Sequence, residues 1–63
     1  LTNRIKVNLL VNLGNAYSSL HQPDIASGYY RKVLELEPGN AAARHNLDLL
    51  ISYFTGKKNN ADH

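Results

Sequence analysis

Residues 7–40 read VNLLVNLGNAYSSLHQPDIASGYYRKVLELEPGN, and two short breaks divide this stretch into helical segments. The first break is His-Gln-Pro-Asp at residues 21–24, and the second is Pro-Gly-Asn at residues 38–40. Proline and glycine at these positions interrupt helices. The sequence therefore predicts an all-α fold, in which an antiparallel hairpin of two helices carries a third helix packed on the second.

The first segment, about residues 3–20, has an unusually wide apolar face. Its apolar side chains cover about 200° of the helix, where contact with a single neighbour needs a little over about 100°. These residues are Ile5, Leu9, Leu10, Leu13, Ala16, Tyr17 and Leu20, with Val7, Val11 and Gly14 extending the face. We therefore expect this helix to make contacts on two sides.

The second segment, residues 24–37, is an ordinary amphipathic helix. Pro23 suits the entry to this helix, Asp24 is predicted to cap its first turn, and Pro38 ends it. The predicted apolar half consists of Ile25, Ala26, Tyr29, Tyr30, Val33, Leu34 and Leu36.

The third segment, residues 41–55, has a narrow apolar stripe, which is typical of a helix covered on one side. Asn40 is its predicted N-cap and Gly56 its predicted left-handed C-cap residue. The stripe consists of Ala43, Leu47, Leu50, Ile51 and Phe54. We expect the polar residues 56–63 to be disordered.

Length and composition limit what the chain can do. Sixty-three residues bury only a small core, and the absence of cysteine excludes disulfides and thiolate zinc sites, so a neighbouring subunit is the expected source of extra stability. A net charge of +2 without a basic cluster argues against nucleic-acid binding, and no apolar run is long enough to span a membrane. The lack of a signal-peptide layout favours a soluble, intracellular protein.

No arrangement of residues in the sequence indicates catalysis or a cofactor. His45 and Asp48 lie one helical turn apart, but no third ligand or nucleophile accompanies them. No glycine-rich phosphate loop is present. We therefore expect neither an enzyme nor a metal-binding or cofactor-binding protein.

A 34-residue offset relates the first helix to the third, since Leu13 recurs as Leu47 and Asn12 as Asn46. Thirty-four residues is the length of the tetratricopeptide repeat, and residues 7–40 resemble one complete repeat. The matching positions are Leu10, Leu13, Gly14, Tyr17, Ala26, Tyr30 and Pro38.

Each signature residue has a physical reason. Gly14 is expected to let the two helices approach closely opposite Ala26, with Tyr17 and Tyr30 filling the space around this crossing. His21 stands where the family often has glycine, and it tolerates a left-handed φ better than most residues.

The resemblance divides the chain into an α-solenoid fragment of four parts. Residues 1–6 extend the first helix, residues 7–40 form the repeat, residues 41–55 resemble a capping helix, and residues 56–63 form the polar tail. About three repeats are normally needed for stability, and a start at Leu1 suggests a processed or excised chain. Either preceding repeats or a second copy would then cover the first helix, and we expect a homo-oligomer when the chain is isolated.

The resemblance implies a scaffold that binds a peptide segment of a protein partner in a concave groove. Asn12 and Asn46 would form a ladder of carboxamides that follows the partner's backbone, and an uncharged groove disfavours ligands with a terminal carboxylate. The candidate peptide-binding residues are Asn8, Val11, Asn12, Asn15, Ser19, Asn46, Leu49 and Tyr53. The alternatives are plain solvent exposure of these residues and self-association (homodimerisation) through the first helix.

Overall fold

The computed structural model describes the backbone of residues 2–62 and the side chains of residues 3–53. The chain forms three helices, α1 (Thr2–Ser19), α2 (Pro23–Leu36) and α3 (Ala41–Asp62), and no strand occurs within residues 2–62. Helix α1 packs on α2, and α3 packs on the same middle helix. The predicted all-α architecture, a helical hairpin with a third helix on its second member, is confirmed.

The connection from α1 to α2 depends on a left-handed residue. His21 has φ of 59°, as expected from its position in the break. The backbone amide of His21 donates to the carbonyl oxygen of Ser18 at 3.1 Å. The backbone amide of Gln22 donates to the carbonyl oxygen of Tyr17 at 2.9 Å. These two bonds are the Schellman pattern, which satisfies the last carbonyl groups of α1 and stops the helix.

Helix α2 begins one residue earlier than predicted, and Asp24 is not its cap. The N-cap residue is Gln22, whose side chain makes no capping hydrogen bond, and Pro23 occupies the first turn. The fixed φ of proline is already helical, which moves the start of the helix to Pro23. Asp24 therefore lies within the first turn, where its negative charge interacts favourably with the helix dipole and stabilises α2.

Helix α3 begins as predicted but ends later. The backbone amide of Ala43 donates to Oδ1 of Asn40 at 2.8 Å, so the predicted N-cap is confirmed. The helix continues through Gly56 to Asp62, where we expected a cap and a disordered tail. A single glycine within a helix costs about 1 kcal/mol, and the lysines that follow it are good helix formers. The side chains from Phe54 onwards, including this predicted core position, lie outside the described residues.

The core lies along the middle helix. Tyr30 and Val33 of α2 are buried between α1 and α3, and no polar side chain is buried among the described residues. Among the residues whose side chains are described, the buried hydrophobic ones are Val7, Ala26, Tyr30, Val33, Ala43 and Leu47. Leu10, Val11, Tyr17, Leu34 and Leu50 are half-buried and pack against this set.

The ring of Tyr30 lies so close to the backbone of α1 that only glycine fits at position 14. A Cβ atom at Gly14 would lie 2.5 Å from Cε1 and 2.8 Å from Cζ of that ring. The predicted close approach thus exists, but the group that occupies the space is the Tyr30 ring, which lies directly on the backbone of α1. Tyr17 instead stacks on Tyr29, with ring centroids 5.6 Å apart.

Only one side of the wide apolar face on α1 is covered. The uncovered side is a row of exposed residues along α1, here called the apolar stripe, which consists of Ile5, Leu9, Leu13, Ala16 and Leu20. Three residues predicted for the core of the other helices, Ile25, Leu36 and Ile51, are also exposed. Within the described part of the chain, no helix combines the length and apolar character that crossing a bilayer requires.

Candidate functional site

An open pocket of about 260 Å³ lies where the three helices meet. Pockets for small organic ligands usually span about 300–1,000 Å³, so this one suits a single side chain. Its lining is uncharged, with amides and hydroxyls beside two leucines. The lining residues are Asn15, Ser18, Ser19, Tyr30, Asn46, Leu49 and Leu50.

The polar side of the pocket is organised around the carbonyl oxygen of the Asn15 side chain. The hydroxyl of Tyr30 donates to Asn15 Oδ1 at 2.5 Å, and Nδ2 of Asn46 donates to the same oxygen at 3.1 Å. Tyr30 belongs to α2 and Asn46 to α3, so this one oxygen connects all three helices. A tyrosine that is only 2% exposed requires such a partner for its hydroxyl.

The Tyr30 hydroxyl keeps its proton at neutral pH. Burial raises the pKa of the Tyr30 phenol above its ordinary value, and the nearby amide of Asn46 lowers it to a smaller extent. The phenol is therefore able to donate, as it does to Oδ1 of Asn15. Asn15 presents its oxygen, and not its NH₂ group, to both Tyr30 and Asn46.

Four of the eight predicted site residues line the pocket: Asn15, Ser19, Asn46 and Leu49. The other four, Asn8, Val11, Asn12 and Tyr53, lie outside its lining. Val11 is half-buried against the core, whereas Asn8 and Asn12 are exposed on α1.

Asn46 makes a hydrogen bond within the chain that the sequence did not predict. Its side-chain amide bonds to Asn15, whereas the predicted ladder combines Asn46 with Asn12, its equivalent in the 34-residue repeat, as two groups that each bind the partner. The bond to Asn15 depends on how α1 and α3 lie against one another, and the ladder stays a prediction.

Three of the lining residues were not predicted to lie in the groove, namely Ser18, Tyr30 and Leu50. Tyr30 and Leu50 were predicted core residues, and they do pack in the core while also reaching the pocket. A tyrosine on an apolar face signals a nearby polar partner, because its hydroxyl is rarely left without one. The sequence alone does not identify Asn15 as the partner of this hydroxyl, because the contact depends on how α1 lies against α2.

The described lining of the pocket contains no histidine or acidic side chain. Among the described residues, no group of three or more His, Asp or Glu side chains is placed to hold a metal ion. His45 and Asp48 are both exposed on α3, away from the pocket lining. The described lining offers a ligand hydrogen-bonding groups and an apolar surface.

Comparison with known proteins gives one match. The family model described as a tetratricopeptide repeat matches residues 7–40, which is 34 of the 63 residues and has the bounds predicted for the repeat. No curated protein and no solved structure matched the chain.

Proposed function

Because the chain belongs to the tetratricopeptide repeat family, whose members are protein-interaction modules and typically non-enzymatic scaffolds, we propose that it binds an extended segment of a partner protein. The site is the groove, defined as the pocket together with the exposed Asn8 and Asn12 on α1 and Tyr53 on α3. The observation that carries the proposal is the pocket itself, in which paired carboxamides stand beside exposed Leu49.

The chemistry of the groove favours an uncharged partner segment. Carboxamides both donate and accept, so Asn8 and Asn12 can bond to the backbone of an extended peptide whatever its side chains are. Leu49, 56% exposed at the pocket, offers an apolar surface for one side chain of the partner. Among the described side chains, none that lines the pocket carries a charge to pair with a terminal carboxylate.

We expect Leu49→Gln to weaken the binding of peptides selected from a displayed random library by about tenfold, because it removes the apolar anchor. The matched control is Ile51→Gln, which makes the same kind of change at an exposed position of the same helix outside the pocket lining. Isothermal titration of both variants measures the difference. Equal weakening, or weakening by Ile51→Gln alone, would place the binding surface elsewhere.

A second candidate function, homodimerisation, is favoured by the apolar stripe on α1. The positions of Leu9, Leu13, Ala16 and Leu20 follow the four-three-four spacing of helices that pack along their length. Paired with a second copy in antiparallel fashion, Leu13 would pack against the small Ala16 of that copy.

The charges at the two ends of α1 also favour the antiparallel arrangement. The charged residues of α1 are Arg4 and Lys6, both near its start, whereas Asp24 follows its far end. An antiparallel pair brings these opposite charges together, and a parallel pair would bring the cations together.

We expect the isolated chain to sediment as a dimer and Leu9→Lys to dissociate it with loss of helicity, because the change places a charge in an apolar contact. Ile51→Lys adds the same charge at an exposed apolar position on α3 and should leave the dimer intact. Analytical ultracentrifugation over a range of concentrations measures both. A helical monomer at every concentration would refute self-association.

A further inference from the structure

The two carboxamides in the pocket each keep one hydrogen-bonding group for a ligand. Oδ1 of Asn15 accepts two hydrogen bonds, which uses both of its lone pairs. Asn46 uses Nδ2 as the donor in one of these bonds. The NH₂ group of Asn15 and the Oδ1 atom of Asn46 have no hydrogen-bond partner within the part of the chain whose side chains are described. The pair thus offers one donor and one acceptor at the wall of the same pocket.

We infer that this pair binds a primary carboxamide, the side-chain amide of a glutamine or asparagine in the partner segment. The inference rests on the proposed peptide-binding function. The carbonyl oxygen of the ligand would accept from Nδ2 of Asn15, and its NH₂ group would donate to Oδ1 of Asn46. Leu49 and Leu50 in the lining would contact the methylene groups of a glutamine.

The charged groups of a peptide fit this pair less well. A carboxylate has no proton for Oδ1 of Asn46, and an ammonium group has no acceptor for Nδ2 of Asn15. A residue of an extended backbone presents its N–H and C=O on the same side, so binding of the backbone is the competing outcome, and it would not depend on the side chain of the ligand. A primary carboxamide carries a C=O and an N–H on one side-chain group, so it can bond to both free groups of the pair.

The test uses the full chain and short blocked peptides of alternating alanine and threonine, with a single central residue that differs. We expect the peptide with central glutamine to bind about tenfold more tightly than those with glutamate or methionine, since each leaves a hydrogen-bonding group of the pocket unpaired. Fluorescence anisotropy of labelled peptides gives the dissociation constants. The side-chain amide NMR signals of Asn15 and Asn46 should shift with the glutamine peptide.

A specificity change provides a sharper test. Asn15→Asp keeps an acceptor for Tyr30 and Asn46 but replaces the free donor by a second acceptor, so the preference should move from the glutamine peptide to one with central lysine. Asn3→Asp adds the same charge twelve residues earlier on α1, about 18 Å along the helix, and should keep the glutamine preference. A gain for the lysine peptide in both variants would indicate a general charge effect and overturn the inference.

The remaining outcomes separate the two proposals. If all the peptides bind equally well and Leu49→Gln weakens each of them, the groove binds peptides but does not select carboxamides, and only the present inference is wrong. If Leu49→Gln changes none of the affinities, or no peptide binds, the groove is not the peptide site and both proposals are wrong.

Discussion

Gly14→Leu should lower the free energy of unfolding by about 3 kcal/mol, because any side chain at this position must occupy the space of the Tyr30 ring. Even the first carbon would lie 2.5 Å from that ring. The ring cannot easily move aside, since it is buried and its hydroxyl is bonded to Asn15. Chains of this size have a total stability of only about 3–9 kcal/mol, so the variant should lose much of its helical circular dichroism at room temperature.

The matched control for this prediction is Gly28→Leu. Gly28 is exposed on α2, and beyond the adjacent backbone of its own helix an added Cβ would meet no described atom within 4 Å. Leucine is the better helix former by about 0.8 kcal/mol, so this variant should be slightly more stable than the parent chain. Urea denaturation of both variants gives the comparison. Similar midpoints for the two would show that Gly14 has no special packing role.

Tyr30→Ala is expected to destabilise the fold by about 3–5 kcal/mol, the usual cost of removing a large buried aromatic side chain. Tyr30 is 2% exposed and is the largest of the fully buried side chains. Its loss also removes the donor that holds Oδ1 of Asn15 in place. We therefore expect thermal unfolding without a cooperative transition and loss of peptide binding.

Two further variants separate the roles of the ring and the hydroxyl. Tyr30→Phe keeps the ring and should cost only about 1 kcal/mol, the typical worth of one hydrogen bond. Tyr29→Ala removes the neighbouring half-buried tyrosine, which stacks on Tyr17, and should cost less than Tyr30→Ala. If Tyr29→Ala proves the more damaging change, the core is centred on the stacked pair and not on Tyr30.

Local chemistry made most of the fold predictable from the sequence. Pro38 ends α2, Asn40 caps α3 and His21 adopts the left-handed φ, because each of these depends on the backbone preferences of a few neighbouring residues. The 34-residue recurrence and the Gly14 and Tyr30 signature also indicated the family before any contact was known.

Local preference was insufficient where two signals of similar strength competed. Pro23 and Asp24 both suit a helix start, and the helix begins at Pro23. At the end of α3, Gly56 suits a cap, but the lysines that directly follow it are good helix formers, and the helix passes through. Each of these choices involves about 1 kcal/mol, which is small enough for the surrounding residues to decide.

By itself the sequence determined the helices, their order and the residues that need neighbours, because helical periodicity and turn chemistry are properties of short stretches of chain. Only the tertiary structure decided that Val7 is buried while Leu9 is exposed, and that Asn46 bonds to Asn15 and not to its repeat equivalent Asn12. Both outcomes depend on how one helix lies across another, since all these positions look alike on an isolated helix. The way α1 lies against α2 and α3 also leaves the NH₂ group of Asn15 and Oδ1 of Asn46 without a partner among the described side chains.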